Sequence, residues 1–162
     1  MKSKLYLPII AFALLATFTA PVASAQFGGL FGGPKVDTIN TADLHKMLQQ
    51  QQRAGIKAKE SGANAPKAKF VLVDVRSDAE VNVSVIPGAI TKTQYEKNRQ
   101  QYQGRLVIPY CTVGGRSGAY AKQLAKSGVN VKNYQGSILK WVDAGLPVVT
   151  LDGKPTNRVH TY

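Results

Sequence analysis

The sequence has little of the residue types on which metal and disulfide sites depend: it contains one cysteine and two histidines. A single cysteine excludes an intramolecular disulfide. Cys111, His45 and His160 lie too far apart in the chain to form a recognisable metal site, and we expect neither a metal nor an organic cofactor. Acidic residues are also scarce, with 9 against 21 basic residues and a net charge of +12. This charge favours anionic partners, but no interleaved aromatic and basic pattern predicts nucleic-acid binding.

The first 25 residues have the pattern of a secretory signal peptide. Lys2 and Lys4 form a charged start, an apolar run extends from Leu5 to Ala20, and small residues lead up to Ala25. Pro21 interrupts the apolar run before it reaches the roughly 20 residues that a membrane-spanning helix needs. We therefore expect cleavage after residue 25, a periplasmic or secreted location and no stable membrane anchor, with an uncleaved anchor as the alternative.

The remaining chain predicts one α/β domain. Residues 26–35 form a flexible, glycine-rich lead-in, residues 36–150 alternate strands and helices, and residues 151–162 form a polar, irregular tail. The apolar runs at 70–75 and 105–110 are typical of strands buried on both faces. The alternation predicts a three-layer sandwich around a mainly parallel central sheet of about five strands.

Two local features of this domain are predicted in more detail. Thr41 is the expected N-cap of a first helix that ends near Gly55. The lysine-rich stretch from Lys57 to Lys69 is then an exposed loop, because Gly62 and Pro66 interrupt it.

Cys111 directly follows the second buried run, and in parallel sheets ligands bind at the carboxyl ends of the strands. Gly114 and Gly115 allow the backbone to turn its N–H groups inward, and a helix that begins near Ser117 adds a partial positive charge. Arg116 adds a cation that can bind an oxyanion. Such a loop would stabilise a thiolate, a persulfide or a bound sulfur oxyanion. The alternative is a buried structural cysteine followed by an ordinary turn.

Four motifs in order give the sequence a resemblance to the rhodanese family. They are Asp74-Val-Arg76, the segment Val83–Ile90 that contains Ile-Pro-Gly-Ala, the cysteine loop Tyr110–Ser117, and Gly136–Trp141. The resemblance extends from about residue 36 to residue 149. Two positions depart from the family pattern: Val85 stands where a histidine is common, and Gly115 occupies a position that is often bulkier.

The resemblance implies that Cys111 is the sulfur-accepting nucleophile in a sulfurtransferase. The substrate-binding residues that it implies are Asp74, Arg76, Thr112, Val113, Gly114, Gly115, Arg116 and Ser117. A donor such as thiosulfate would load Cys111 with a persulfide, and a thiol or cyanide would take the outer sulfur. The implied partners are small sulfur-containing anions and a thiol acceptor, which is a small molecule or a protein.

Two other functions compete with this one. The first is a binding or sulfide-sensing module without turnover. The second is a small cysteine phosphatase or arsenate reductase, against which stand the short Cys-x4-Arg loop and the expected lack of an acid near Cys111. His45 is predicted to lie on the surface, and His160 would reach the site only if the tail folds back over it.

The signal sequence gives the first testable prediction: exported protein should begin at Gln26. Its intact mass should match residues 26–162, because the small residues before Gln26 form the cleavage site. A mass that retains Met1 in the exported fraction would show that the segment is an anchor.

Overall fold

The computed structural model describes residues 34–160, so the predicted signal peptide and most of the lead-in lie outside the described residues. The strands are β1 (Asp37–Ile39), β2 (Phe70–Asp74), β3 (Ile90–Thr91), β4 (Leu106–Tyr110), β5 (Lys132–Tyr134), β6 (Val148–Val149) and β7 (Pro155–Thr156). The helices are α1 (Thr41–Glu60), α2 (Asp78–Val81), α3 (Lys92–Lys97), α4 (Gly115–Lys126) and α5 (Ser137–Asp143), with a 3-10 turn at Arg99–Tyr102.

The first five strands run parallel, as the alternation of strands and helices along the sequence predicts. β2 pairs with β3 and with β4, where Phe70 lies opposite Leu106 and Asp74 opposite Tyr110. β1 pairs with β5, and a parallel bridge between Val107 and Val131 connects β4 with the start of β5. The strand order is therefore β1-β5-β4-β2-β3, and the expected sheet of about five strands is confirmed.

Alternate residues of β2 and β4 pack against helices on opposite faces of the sheet, which gives the three layers. Leu72 and Ile108 belong to a core with Leu44 of α1 and Trp141 of α5. The opposite core contains Val71, Val73, Val107, Tyr95 of α3, and Tyr120 and Leu124 of α4. Because both faces are covered, all five residues of β2 are buried.

The first helix is longer than predicted. It continues past Gly55 to Glu60, and Asn40, not Thr41, is the N-cap, with its side chain accepting a hydrogen bond from Asp43 N–H. Gly55 lowers helix propensity by only about 1 kcal/mol, and Lys57 and Lys59 in the last turn interact favourably with the helix dipole. Only the later part of the predicted 57–69 loop is therefore without a helix.

The segment after residue 150 is also more ordered than its polar sequence predicts. β7 pairs antiparallel with β6, and Val149 of β6 bridges to Val85. Beyond this hairpin, Val159 packs against the core that contains Trp141. The segment thus packs onto the domain. None of the helices in residues 34–160 is long and apolar enough to span a membrane.

Candidate active site

Cys111 lies at the carboxyl edge of the parallel sheet, directly after β4. Its neighbour strand β2 ends at the same edge, and Val75 N–H donates to the Tyr110 carbonyl at 3.0 Å. Only 1% of Cys111 is exposed. The sheet therefore places the thiol at the edge where ligands bind in this class of fold. A pocket lies directly above it.

Gly114 turns the loop so that its own N–H donates to Cys111 Sγ, at 3.0 Å. This turn requires glycine for two reasons. Its φ is +100°, and a Cβ at this position would lie 2.5 Å from the carbonyl oxygen of Gln135. The next residue, Gly115, begins α4, so the helix starts two residues earlier than predicted and its first N–H groups lie closer to the sulfur.

The start of α5 holds the same loop from the other side. Ile138 N–H donates to the Cys111 carbonyl at 3.0 Å, and Leu139 N–H to the Thr112 carbonyl at 3.4 Å. These two donors satisfy loop carbonyls, while the loop's own N–H groups turn toward the sulfur. Hydrogen bonds from the neighbouring backbone therefore hold the loop in this geometry.

Ser137 adds a side-chain contact that the sequence analysis did not single out. Its hydroxyl accepts from Cys111 N–H at 3.1 Å, donates to the Tyr134 carbonyl at 3.0 Å and lies 3.8 Å from Cys111 Sγ. Among the described residues it is the one non-glycine residue with a positive φ, +55°. Such a conformation costs about 1–3 kcal/mol, which two hydrogen bonds of about 0.5–1.5 kcal/mol each can offset.

The thiol of Cys111 is acidic despite its burial. Burial raises its pKa, but the polar groups around the sulfur, first the backbone and hydroxyl of Ser117 and then the N–H groups of Gly114 and Val113, outweigh that effect, and the pKa falls to about 7. A substantial fraction of Cys111 is therefore thiolate at neutral pH, which is the nucleophilic form.

The pocket above the sulfur has a volume of about 450 Å³. It is lined by Ser77, Glu80, Cys111, Thr112, Val113, Gly115, Arg116 and His160. A Cβ at Gly115 would meet no atom within 4 Å, so this wall has room for a bulkier group. Val113 stands at the rim and is 63% exposed.

Glu80 is the pocket residue that the sequence analysis missed. Arg116 donates to both of its carboxylate oxygens at 2.7 Å, and the Thr112 hydroxyl donates to Oε1 at 2.7 Å. The N–H and hydroxyl of Ser77 donate to Oε2 and form a capping box at the start of α2. The spacing of Ser77 and Glu80 is the sequence signal that could have placed this carboxylate.

This pairing changes the expected charge of the pocket. Arg116 holds the pKa of the Glu80 carboxyl well below its usual range, and Glu80 raises the pKa of the Arg116 guanidinium. The two charges offset each other, so Arg116 is not the uncompensated cation that was expected. The expected lack of an acid near Cys111 is wrong, but an ionised carboxylate with this pKa cannot donate a proton.

Asp74 and Arg76 do not line the pocket, contrary to the expectation from their motif. Arg76 donates to both oxygens of Asp74, at 2.7 Å to Oδ2, and both side chains are fully buried. Arg76 also bonds the Ser84 carbonyl, which ties the end of β2 to the segment before Ile86. Because neither side chain has exposed surface, the pair lies inside the protein and not on the wall of the pocket.

The structure brings most of the other predicted residues together. Thr112, Val113, Gly115 and Arg116 line the pocket, whereas Gly114 and Ser117 act on the sulfur from within the loop. Their contact with a substrate remains a prediction. Within residues 34–160, no three His, Cys, Asp or Glu side chains form a group that could hold a metal ion.

Comparisons with known proteins agree with this geometry. A family model described as a rhodanese-like domain matches residues 57–144. A sulfurtransferase from Allochromatium vinosum is 32% identical over 87 residues, which cover 51% of this chain and 81% of that protein.

Two solved structures share the fold. A rhodanese-related protein from Thermoplasma volcanium has 25% identity and a TM-score of 0.50, over 70% of this chain and 97% of that one. A thiosulfate sulfurtransferase from Pseudomonas aeruginosa has 21% identity and a TM-score of 0.53, over 76% of this chain and 21% of that one.

The buried ion pair gives a prediction about stability. Arg76→Met should lower the free energy of unfolding by about 3–5 kcal/mol, because it leaves the Asp74 carboxylate buried without a partner. Replacing both residues, as Asp74→Asn with Arg76→Met, should recover part of this loss. Urea unfolding of the three proteins measures both effects.

Arg99→Met is the matched control, because Arg99 faces Glu96 at 4.0 Å with both side chains more than 40% exposed. Its loss should be below about 1 kcal/mol. If Arg76→Met kept wild-type stability, the pair would not be the structural element described here.

Proposed function

The chain belongs to the rhodanese-like domain family, which includes sulfurtransferases, and we propose that it transfers sulfane sulfur through a persulfide on Cys111. The observation that carries the proposal is a buried thiol with a pKa of about 7 beneath an open pocket, with a backbone N–H donating to its sulfur. A structural cysteine would have no need of these donors. The proposal includes action outside the cytoplasm, which rests on the signal sequence alone.

The first step is loading of the cysteine. The Cys111 thiolate attacks the sulfane sulfur of thiosulfate, a new S–S bond forms at Sγ, and the bond between the two sulfurs of thiosulfate breaks. Sulfite leaves with the electron pair, and Cys111 carries an anionic persulfide. No proton is gained or lost overall, so the step needs no general acid.

The loop supplies the stabilisation that this step requires. Negative charge moves from Sγ to the outer sulfur, and N–H dipoles that are already oriented stabilise it without rearrangement. The Gly114 N–H and the first N–H groups of α4 are the available donors. Because Glu80 offsets the charge of Arg116, we assign anion stabilisation mainly to these backbone groups.

The second step returns the enzyme to its thiolate. An acceptor attacks the outer sulfur, the S–S bond of the persulfide breaks, and its electron pair stays on Cys111. Cyanide leaves as thiocyanate, and a thiol leaves as its own persulfide. The pocket of about 450 Å³ has room for a small thiol, and the exposed Val113 at its rim gives a protein acceptor an apolar surface to approach.

The phosphatase and arsenate reductase alternative is less well supported. The carboxyl group of the pocket cannot protonate the leaving oxygen of a phosphate ester, because Glu80 is held ionised by Arg116. The Cys-x4-Arg loop is also short, which leaves less room around the sulfur for a phosphate.

The proposal predicts that thiosulfate adds one sulfur atom to the protein. Intact mass after treatment and desalting should increase by the mass of one sulfur, because the Cys111 persulfide has no other thiol in the chain to resolve it. Cyanide should then restore the original mass and release thiocyanate.

Cys111→Ser is the matched control and should show neither change. Parallel assays with p-nitrophenyl phosphate and arsenate test the alternative activities. If wild-type protein gains no sulfur from thiosulfate or from other sulfane donors, the sulfurtransferase proposal fails and a binding module without turnover replaces it.

A further inference from the structure

The segment after β7 carries a histidine to the wall of the cysteine pocket. The β6–β7 hairpin fixes its start, and Arg158 N–H donates to Thr156 Oγ1 at 3.2 Å. Val159 packs against the core, and the next residue, His160, lines the same pocket as Cys111. The hairpin and the packing of Val159 therefore bring the imidazole to the pocket wall.

The other ionisable groups of the pocket wall cannot act as a base. Glu80 accepts hydrogen bonds from Arg116, Thr112 and Ser77, and its pKa lies well below the usual range. Arg116 is a fixed cation, and Cys111 carries the sulfur that is to be transferred. Among the residues that line the pocket, His160 is thus the remaining side chain of a type that commonly serves as a general base.

A thiol acceptor requires such a group. The thiolate is the nucleophile in sulfur exchange, so the acceptor must lose its proton before or during attack. Thiosulfate loading requires no proton transfer, and sulfite as an acceptor requires none either once it is deprotonated. A general base in the pocket would therefore speed transfer to a thiol but not transfer to deprotonated sulfite.

We propose that His160 is the general base for thiol acceptors, an inference that rests on the proposed sulfurtransferase function. The imidazole takes the proton of the acceptor thiol as its sulfur attacks the outer sulfur of the Cys111 persulfide. The S–S bond to Sγ breaks, and its electron pair remains on Cys111 as thiolate. The imidazolium then returns the proton to the product, so that a thiol and an anionic persulfide become a hydropersulfide and a thiolate. Atoms and charge balance, and no other reactant is needed.

The test compares two acceptors on protein already loaded with thiosulfate. At mildly alkaline pH, sulfite is deprotonated, whereas 2-mercaptoethanol is still largely protonated. His160→Ala should slow single-turnover transfer to 2-mercaptoethanol by about 100-fold while leaving transfer to sulfite within about twofold, as expected for loss of a general base. Added imidazole should restore the thiol rate of His160→Ala.

His160→Gln keeps a polar side chain of similar size and should show the same selective loss. His45→Gln is the matched control, because His45 contacts Trp141 at a ring-centroid distance of 5.7 Å, outside the pocket. It should leave both rates unchanged.

The outcomes separate this inference from the proposed function. If wild-type protein does not load sulfur, the proposed function itself fails. If it loads and transfers normally but His160→Ala slows neither acceptor, or slows both equally without rescue by imidazole, His160 is only part of the wall and the inference is overturned.

Discussion

The hydrogen bond from Gly114 N–H to Cys111 Sγ is the contact on which the rest of the site depends. It exists because Gly114 adopts a φ of +100° where a Cβ would collide with the Gln135 carbonyl. The start of α5 holds the loop in place by donating to its carbonyls. The sheet sets the position of the cysteine, but this turn sets the direction of its hydrogen-bond donors. Burial alone would raise the pKa of the Cys111 thiol. The donors that point at the sulfur lower it instead.

The net charge of +12 does not itself create the anion site. The arginine nearest the sulfur, Arg116, is paired with Glu80, and the arginine of the neighbouring motif, Arg76, is sealed against Asp74. Both pairs fix loops in place, and the proposed function therefore assigns the stabilisation of negative charge mainly to backbone dipoles. Orienting these backbone N–H groups toward the sulfur costs little further free energy during the reaction, because the fold already holds the backbone in place. We therefore propose that the Arg116–Glu80 pair shapes the wall of the pocket, that the loop stabilises the charged sulfur, and that the segment after β7 adds a proton acceptor.

Much of this could be predicted from the sequence, because buried parallel strands leave long apolar runs and because the cysteine follows one of them. The apolar runs at 70–75 and 105–110 predicted the two central strands of the sheet, and the glycines after Cys111 predicted a loop that turns its N–H groups inward. The pairing of side chains was beyond reach: Arg116 was expected to face the ligand, yet Glu80 lies 36 residues earlier in the chain. Ser137 was equally hidden, since a serine with positive φ has no sequence signal. The polar composition after residue 150 predicted an irregular tail, whereas the structure has a short hairpin and a partly buried valine, Val159, that pack this segment onto the domain.

The loop is inferred to keep a substantial fraction of Cys111 as thiolate at neutral pH, and the rate of alkylation of Cys111 as a function of pH tests this most directly. Iodoacetamide reacts with the thiolate, and Cys111 is the one cysteine of the chain, so the protein reports a single titration. The account predicts that the rate rises with pH and levels off, with a midpoint at about 7. A midpoint at 9.0, the ordinary value for a thiol, would show that the backbone donors do not stabilise the anion and would contradict the account.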